Sequence, residues 1–226
     1  MVTIYGVPLS VHARKPIVTA ILKDIQYVVE PVIPFNPPPN WSSLSPTGLI
    51  PAMRDGGVTL AESTAICFHL ERKKAAPAIL PADAGDCSRV LFFDGYAGHV
   101  FRTVIHGLFF QKIINPVILK GATDQSVIDG ILATTQPKVF SFLESQIDGT
   151  FLVGRSLTLA DIGIVSNLIN FQYLGFAIDK AAYPKLAAYA AGIIALPPFR
   201  RALAEEKPFA EQMGLDRGFP GLEAAA

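Results

Sequence analysis

The chain predicts two unlike halves: an α/β layer over residues 1–76 and an all-α region over residues 87–226, joined by a linker at 77–86. Three observations carry this division. Short β-type runs and apolar helical spacing alternate as far as Lys73. The stretch Ala75-Ala76-Pro77-Ala78-Ile79-Leu80-Pro81-Ala82-Asp83 then interrupts the pattern with a composition suited to a connector. Beyond it, strand signals vanish and long helical patterns follow.

Taken in order, residues 2–5 read as a strand, which Gly6-Val7-Pro8-Leu9-Ser10 ends. Residues 14–24 read as a helix, with Ile17, Val18, Ile21 and Leu22 on one face. Residues 26–33 hold a second strand around Tyr27-Val28-Val29. The following loop contains Pro37-Pro38-Pro39, which excludes a helix. Residues 52–60 read as a hairpin turned by Asp55-Gly56-Gly57, because tight hairpin turns need positive φ. A helix over 62–73 completes an order β-α-β, loop, β-β-α, a layer with helices on a sheet. This order resembles a thioredoxin-like domain.

In the second region, helices are predicted over 87–114, 124–146, 159–173 and 183–196, with a last short one after Pro197-Pro198. Thr158 and Asp161 are spaced as a capping box, a folding device worth about 1 kcal/mol per cap.

Composition narrows the function classes. The chain has 226 residues, half of them hydrophobic, and 19 basic residues balance 19 acidic ones. Arg72-Lys73-Lys74 is the longest basic run and suits the last turn of a helix, so nothing supports nucleic-acid binding. Cys67 and Cys87 are not spaced as metal ligands or as a CxxC pair, and no metal is expected. Cys67 reads as a small buried hydrophobe. The start of the chain reads as a strand, not a signal peptide, and residues 162–178 suit a buried helix better than a membrane span. A soluble cytoplasmic protein is expected.

The most informative run is Ser45-Pro46-Thr47-Gly48-Leu49-Ile50-Pro51-Ala52-Met53, followed after the hairpin by Leu60-Ala61-Glu62-Ser63-Thr64-Ala65-Ile66. Pro51 cannot donate to a sheet ladder and belongs at a strand start. A cis bond before it would leave the backbone of Ile50 free for a ligand. Glu62 and Ser63 stand where the first N–H groups of a helix are unpaired, a natural anion site.

This ordered set resembles the glutathione-binding half of the glutathione S-transferase superfamily, with Ser45 in place of Asn and Met53 in place of Leu. The resemblance implies a thioredoxin-like first domain, an all-helical second domain and glutathione as co-substrate. It further implies that Leu49, Ile50 and Pro51 belong to the glutathione site, with the Ile50 backbone on the cysteinyl part and Leu49 standing where the family often carries Gln, and that Glu62 and Ser63 hold the γ-glutamyl end. The segment Leu157-Thr158-Leu159-Ala160-Asp161 resembles the start of the family's central second-domain helix.

Glutathione transfer needs a thiolate. With a free-thiol pKa of about 8.5, only about 3% is ionised at neutral pH. Lowering that pKa by about two units costs about 2.7 kcal/mol, which one hydrogen bond to a charged sulfur at about 1.5–3 kcal/mol nearly meets. Ser10, Tyr5 and His12 lie in the loop where the family places the thiol activator. Pro8-Leu9-Ser10-Val11-His12-Ala13-Arg14-Lys15 resembles the serine-type, theta- and phi-like members, so Ser10 is preferred. Tyr5 in its strand suits a core position, and His12 in a first helical turn suits solvent.

For the glycyl carboxylate the chain offers Asn36, Pro37 and Trp41, with Lys15 or Arg14 as substitutes, although a charge on a first helix ordinarily faces water. Phe101, His106, Phe109 and Phe110 are candidates for a hydrophobic electrophile site. The expected activity is attack of glutathione thiolate on a hydrophobic electrophile, with peroxidase, dehalogenase or isomerase chemistry open to the same first domain. A non-catalytic binding or interaction module is the alternative. A homodimer is implied by the resemblance, and no membrane partner is expected.

Overall fold

The computed structural model describes residues 1–215. Strands β1 (Val2–Tyr5), β2 (Tyr27–Glu30), β3 (Ala52–Asp55) and β4 (Val58–Ala61) form one sheet in the order β2-β1-β3-β4. β1 and β2 run parallel, which requires a crossover, and α1 (Val11–Leu22) supplies it. β3 pairs antiparallel with both β1 and β4, and Tyr5 stands opposite Ala52. The hairpin turns through Gly56 at φ +59°. Val2 and Ile4 are buried while Thr3 and Tyr5 are half-buried, the alternation a sheet with one covered face requires. Helix α2 (Ser63–Lys73) follows β4 and packs beside α1.

Helix α3 (Ala84–Val100) begins three residues before the predicted 87, because Asp83 caps it by accepting the Asp86 N–H at 2.9 Å. The helix runs on through π-helical stretches at Phe101–Ile105 and Phe110–Ile118, on either side of the short α4 (His106–Phe109). The helix predicted over 124–146 is α5 (Gln125–Gly130), a π-helical turn and α6 (Gln136–Gln146). Then come α7 (Leu159–Tyr173), α8 (Pro184–Ile194) and α9 (Pro197–Gln212).

The expected short last helix is corrected: α9 has 16 residues and passes through Pro208. Its buried side chains Phe199, Ala202, Leu203, Glu206 and Ala210 recur at helical spacing, and α9 packs on α1. Tertiary burial of that face carries the helix past a residue that would end an isolated one.

Every residue of α7 from Leu159 to Phe171 is buried, which makes it the axis of the helical half. At Gly163 a Cβ would come within 3.0 Å of the Ala97 Cβ, so glycine is what lets α3 and α7 approach. The capping box is present: the N–H and hydroxyl of Thr158 donate to Asp161 Oδ2 at 2.9 and 3.0 Å. Asp161 Oδ1 also accepts from the Leu152 N–H and the Tyr189 hydroxyl, both at 2.9 Å. That carboxylate is fully employed in folding.

Two buried polar clusters tie the sheet half to the rest. The fully buried Lys23 pairs with Glu71 and donates to the carbonyls of Lys74 and Pro77 at 2.8 and 2.7 Å. Glu71 in turn accepts the Ile79 N–H at 3.1 Å, so the connector is pinned along its length. The second cluster, around Arg14, lies beneath the candidate site.

Candidate active site

Ser10 is the N-cap of α1, with extended backbone at φ −67° and ψ 129°. Its N–H donates to the Val7 carbonyl at 2.9 Å, while its hydroxyl oxygen accepts the Ala13 N–H at a long 3.4 Å. The hydroxyl proton has no partner among the described residues. Ser10 therefore presents a free donor at the positive end of a 12-residue helix.

Ile50 reaches the same turn. A Cβ on Gly6 would lie 3.3 Å from Ala13 Cβ and 3.4 Å from Ile50 Cβ, so the bare glycine lets the β1–α1 turn and Ile50 close together. The Ile50–Pro51 bond is cis, and the β3 ladder begins only at Ala52, leaving Ile50 outside the sheet. Pro51 is buried, whereas Leu49 is 64% exposed.

The third part of the site is the start of α2. Glu62 caps it, accepting the Thr64 N–H at 3.1 Å, and it does so at φ +81° and ψ 120°, a conformation non-glycine residues avoid. Ser63 is 1% exposed, and its hydroxyl has no hydrogen-bond partner among the described residues. His12 links this helix start to the first. It lies within electrostatic reach of Glu62 and Asp94, and its ring meets Phe101 edge-on at 4.5 Å. Burial, then the Lys15 and Arg102 charges, lower its pKa below the ordinary histidine value, so it is neutral at neutral pH. His12 is half-buried with its ring against Phe101, not the freely solvated side chain expected.

Several other readings change. Arg14 and Lys15 do not face water; they are 0% and 4% exposed. Arg14 forms a two-pronged ion pair with Glu206, both contacts at 2.9 Å. Lys15 pairs with Asp94 at 2.6 Å and donates to Thr64 Oγ1 at 3.1 Å, and Thr64 donates to Asp94 at 2.6 Å. Neither cation is available for a glycyl carboxylate. Trp41 is buried and donates to the Gly48 carbonyl at 3.0 Å, holding the turn before Ile50. Tyr5 meets Trp41 edge-on in a small satellite core with Val32 and Ala52. Of the glycyl-end candidates only Asn36 and Pro37, in the exposed loop, have unengaged side chains.

Cys67 is fully buried, accepts the Thr19 hydroxyl at 3.5 Å, and has its thiol pushed up to about 12 by burial. It cannot serve as a nucleophile. Phe101 and His106 form a chain of rings with His12, Phe101–His106 lying at 5.8 Å. Phe109 packs against the main core, and Phe110 is partly exposed. Among the described residues no His, Cys, Asp and Glu side chains gather in threes as a metal site, and no helix is long and apolar enough to cross a membrane. A separate cavity of about 300 Å³ opens between β2 and α9, walled by Tyr27, Val28, Arg201 and Phe209, and does not include Ser10 or Glu62.

A parallel–antiparallel sheet, a helical half around α7, and two polar helix starts flanking a cis-proline turn define a glutathione S-transferase fold. The chain belongs to the glutathione S-transferase superfamily: the family descriptions of the N-terminal and C-terminal domains match residues 4–78 and 109–206. It is 29% identical to glutathione S-transferase 1 of Zea mays, over 74% of this chain and 77% of that one. It is 28% identical to maleylpyruvate isomerase of Ralstonia sp, over 74% and 79%. A solved glutathione S-transferase from Rhodospirillum rubrum F11 superposes with TM-score 0.82 at 26% identity, covering 90% of this chain and 92% of that one.

Sequence reading missed Thr64, Asp94, Asn170 and Glu206. Thr64 carries a weak signal, since it follows Glu62-Ser63 directly. The other three approach the site only through long-range packing.

Proposed function

We propose that this chain is a serine-type transferase in which the Ser10 hydroxyl donates to the sulfur of bound glutathione and holds it as thiolate. The thiolate then attacks a hydrophobic electrophile in the cleft beside Phe101. The Ile50 backbone pairs with the cysteinyl unit, with Leu49 and Pro51 shaping that turn. Glu62 takes the γ-glutamyl ammonium, while the Ser63 hydroxyl and the first N–H groups of α2 take its carboxylate. The observation that carries this reading is the free hydroxyl donor of Ser10 at a helix start that Gly6 brings against Ile50. The domains are proposed as residues 1–76 and 87–226 with the linker at 77–86, and the working place as the cytoplasm. A homodimer is proposed too; exposed Phe68, Leu91 and Phe92 on α2 and α3 support an apolar contact. A sizing column run on the whole chain checks that state.

The test is retention on immobilised glutathione, followed by conjugation to a chlorodinitrobenzene-type substrate. Retention with turnover that collapses in Ser10→Ala supports the proposal; full activity in that variant removes Ser10 from the role. One observation favours a second reading, a non-catalytic module: Arg14, Lys15 and Trp41 are all engaged elsewhere, leaving the glycyl end thinly served. Absence of both retention and turnover with this and related electrophiles decides for the module. The isomerase name of the Ralstonia relative makes cis–trans isomerisation of an unsaturated acid the next reaction to assay.

A further inference from the structure

We infer that Asn170, far along the helical half, is a positioning residue for Ser10; the inference rests on the reading of Ser10 as thiol activator. The side chain is 8% exposed, and each end of its amide is occupied. Oδ1 accepts from Arg14 Nη1 at 2.8 Å, and Nδ2 donates to the Leu9 carbonyl at 3.1 Å. Because a guanidinium can only donate, the amide has one orientation, with its NH₂ on Leu9.

The Leu9 carbonyl belongs to the same peptide unit as the Ser10 N–H. That unit is planar, so its orientation places the Ser10 Cα. Asn170 holds the plane by its oxygen, and the Val7 carbonyl holds it by its N–H at 2.9 Å. The Ser10 side chain contributes little itself, since its one contact is the 3.4 Å approach of the Ala13 N–H. Arg14 cannot take over from Asn170. It meets the Leu9 carbonyl only at 3.4 Å, and its other donors are committed to Glu206 and to the Ser166 carbonyl at 2.9 Å. Glu206 is further anchored by the Tyr173 hydroxyl at 2.9 Å. The helical half thus sets the hydroxyl of the sheet half, and a hydrogen bond to sulfur weakens steeply when its donor shifts.

Asn170→Asp keeps the shape and the Arg14 partner but sets an acceptor against the Leu9 carbonyl. Using the whole chain saturated with glutathione, the thiolate fraction is read by ultraviolet absorbance, alongside kcat and KM. We expect kcat to fall about tenfold and the thiolate fraction to fall with it, while KM for glutathione stays within about twofold. Combined with Ser10→Ala, the Asp variant is expected to add no further loss, a non-additivity that mere loosening of the fold would not produce. An unchanged thiolate fraction in the folded Asp variant, or losses that multiply in the double variant, overturns the inference. If the Asp variant does not fold, Asn170→Ser replaces it, with the same two outcomes read. A Ser10→Ala protein that keeps its thiolate fraction instead removes the reading of Ser10 itself, which separates the two failures.

Discussion

The starts of α1 and α2 carry the same kind of chemistry under opposite backbone conditions. Ser10 sits in ordinary extended backbone with a loose 3.4 Å cap, so its hydroxyl is free and its place is imposed from outside. Glu62 sits at φ +81° with a 3.1 Å cap, so its own backbone is forced and its carboxylate is aimed by that conformation. One helix start is positioned by neighbours and the other by local strain, which costs about 1–3 kcal/mol at such an angle. The lesson is that two caps of equal appearance in sequence are held in place by different means, which suits the proposed division of work, donation to sulfur by the first and binding by the second.

If that contrast is right, the largest effect comes from the first start. Ser10→Ala is expected to lower kcat by about 10–100-fold, the worth of one hydrogen bond to a charged sulfur, with stability changed by about 1 kcal/mol at most. Steady-state kinetics beside a thermal melt measures both. Next, Ser63→Ala is expected to raise KM for glutathione by about tenfold with kcat nearly kept, as loss of uniform binding does. A fall in kcat without a change in KM would erase the distinction between the two starts.

The strain itself is read by comparing Glu62→Ala with Glu62→Gly. Both remove the carboxylate, yet only glycine accepts the positive φ freely, so the glycine variant should be the more stable by about 1 kcal/mol in denaturant melts. Equal stabilities would mean the backbone there is not strained.

The smallest effect is a pH slope at His12. Its pKa is lowered in the folded chain, so the folded state binds fewer protons than the unfolded one as pH drops through the ordinary histidine range. The stability that depends on a neutral His12 is present above about pH 6.5 and is lost as pH falls from there through the folded pKa. His12→Gln should flatten that part of the stability–pH curve, and an unchanged slope would assign it to another group.

Much of this was legible in the chain because it is local. The Asp55-Gly56-Gly57 turn, the Thr158–Asp161 box and the strand that opens directly after Pro51 each depend on residues a few positions apart, and each is present. Arg14 and Lys15 show where locality ends. Their spacing beside His12 and Ser10 suggests a wet helix face, yet their partners Glu206 and Asp94 lie far along the chain and draw both cations into the interior. The same holds for α9, expected as a short helix after Pro197-Pro198: packing on α1 carries it to 16 residues, past Pro208.

By itself, the sequence determined the division into a sheet half and a helical half, the hairpin, the capped start of α7, and the polar residues Ser10, Glu62 and Ser63 at the starts of α1 and α2. These follow from steric limits on φ, from hydrogen-bond inventory and from apolar spacing, all properties of short segments. Only the tertiary structure decided that the β1–α1 turn meets Ile50 across Gly6, that Lys15 of α1 reaches Thr64 of α2, that Arg14 and Lys15 are locked away, and that Asn170 reaches back to Leu9. A buried charge or amide must find its partner wherever packing brings one, and that position is set by the whole core, not by the neighbours in the chain.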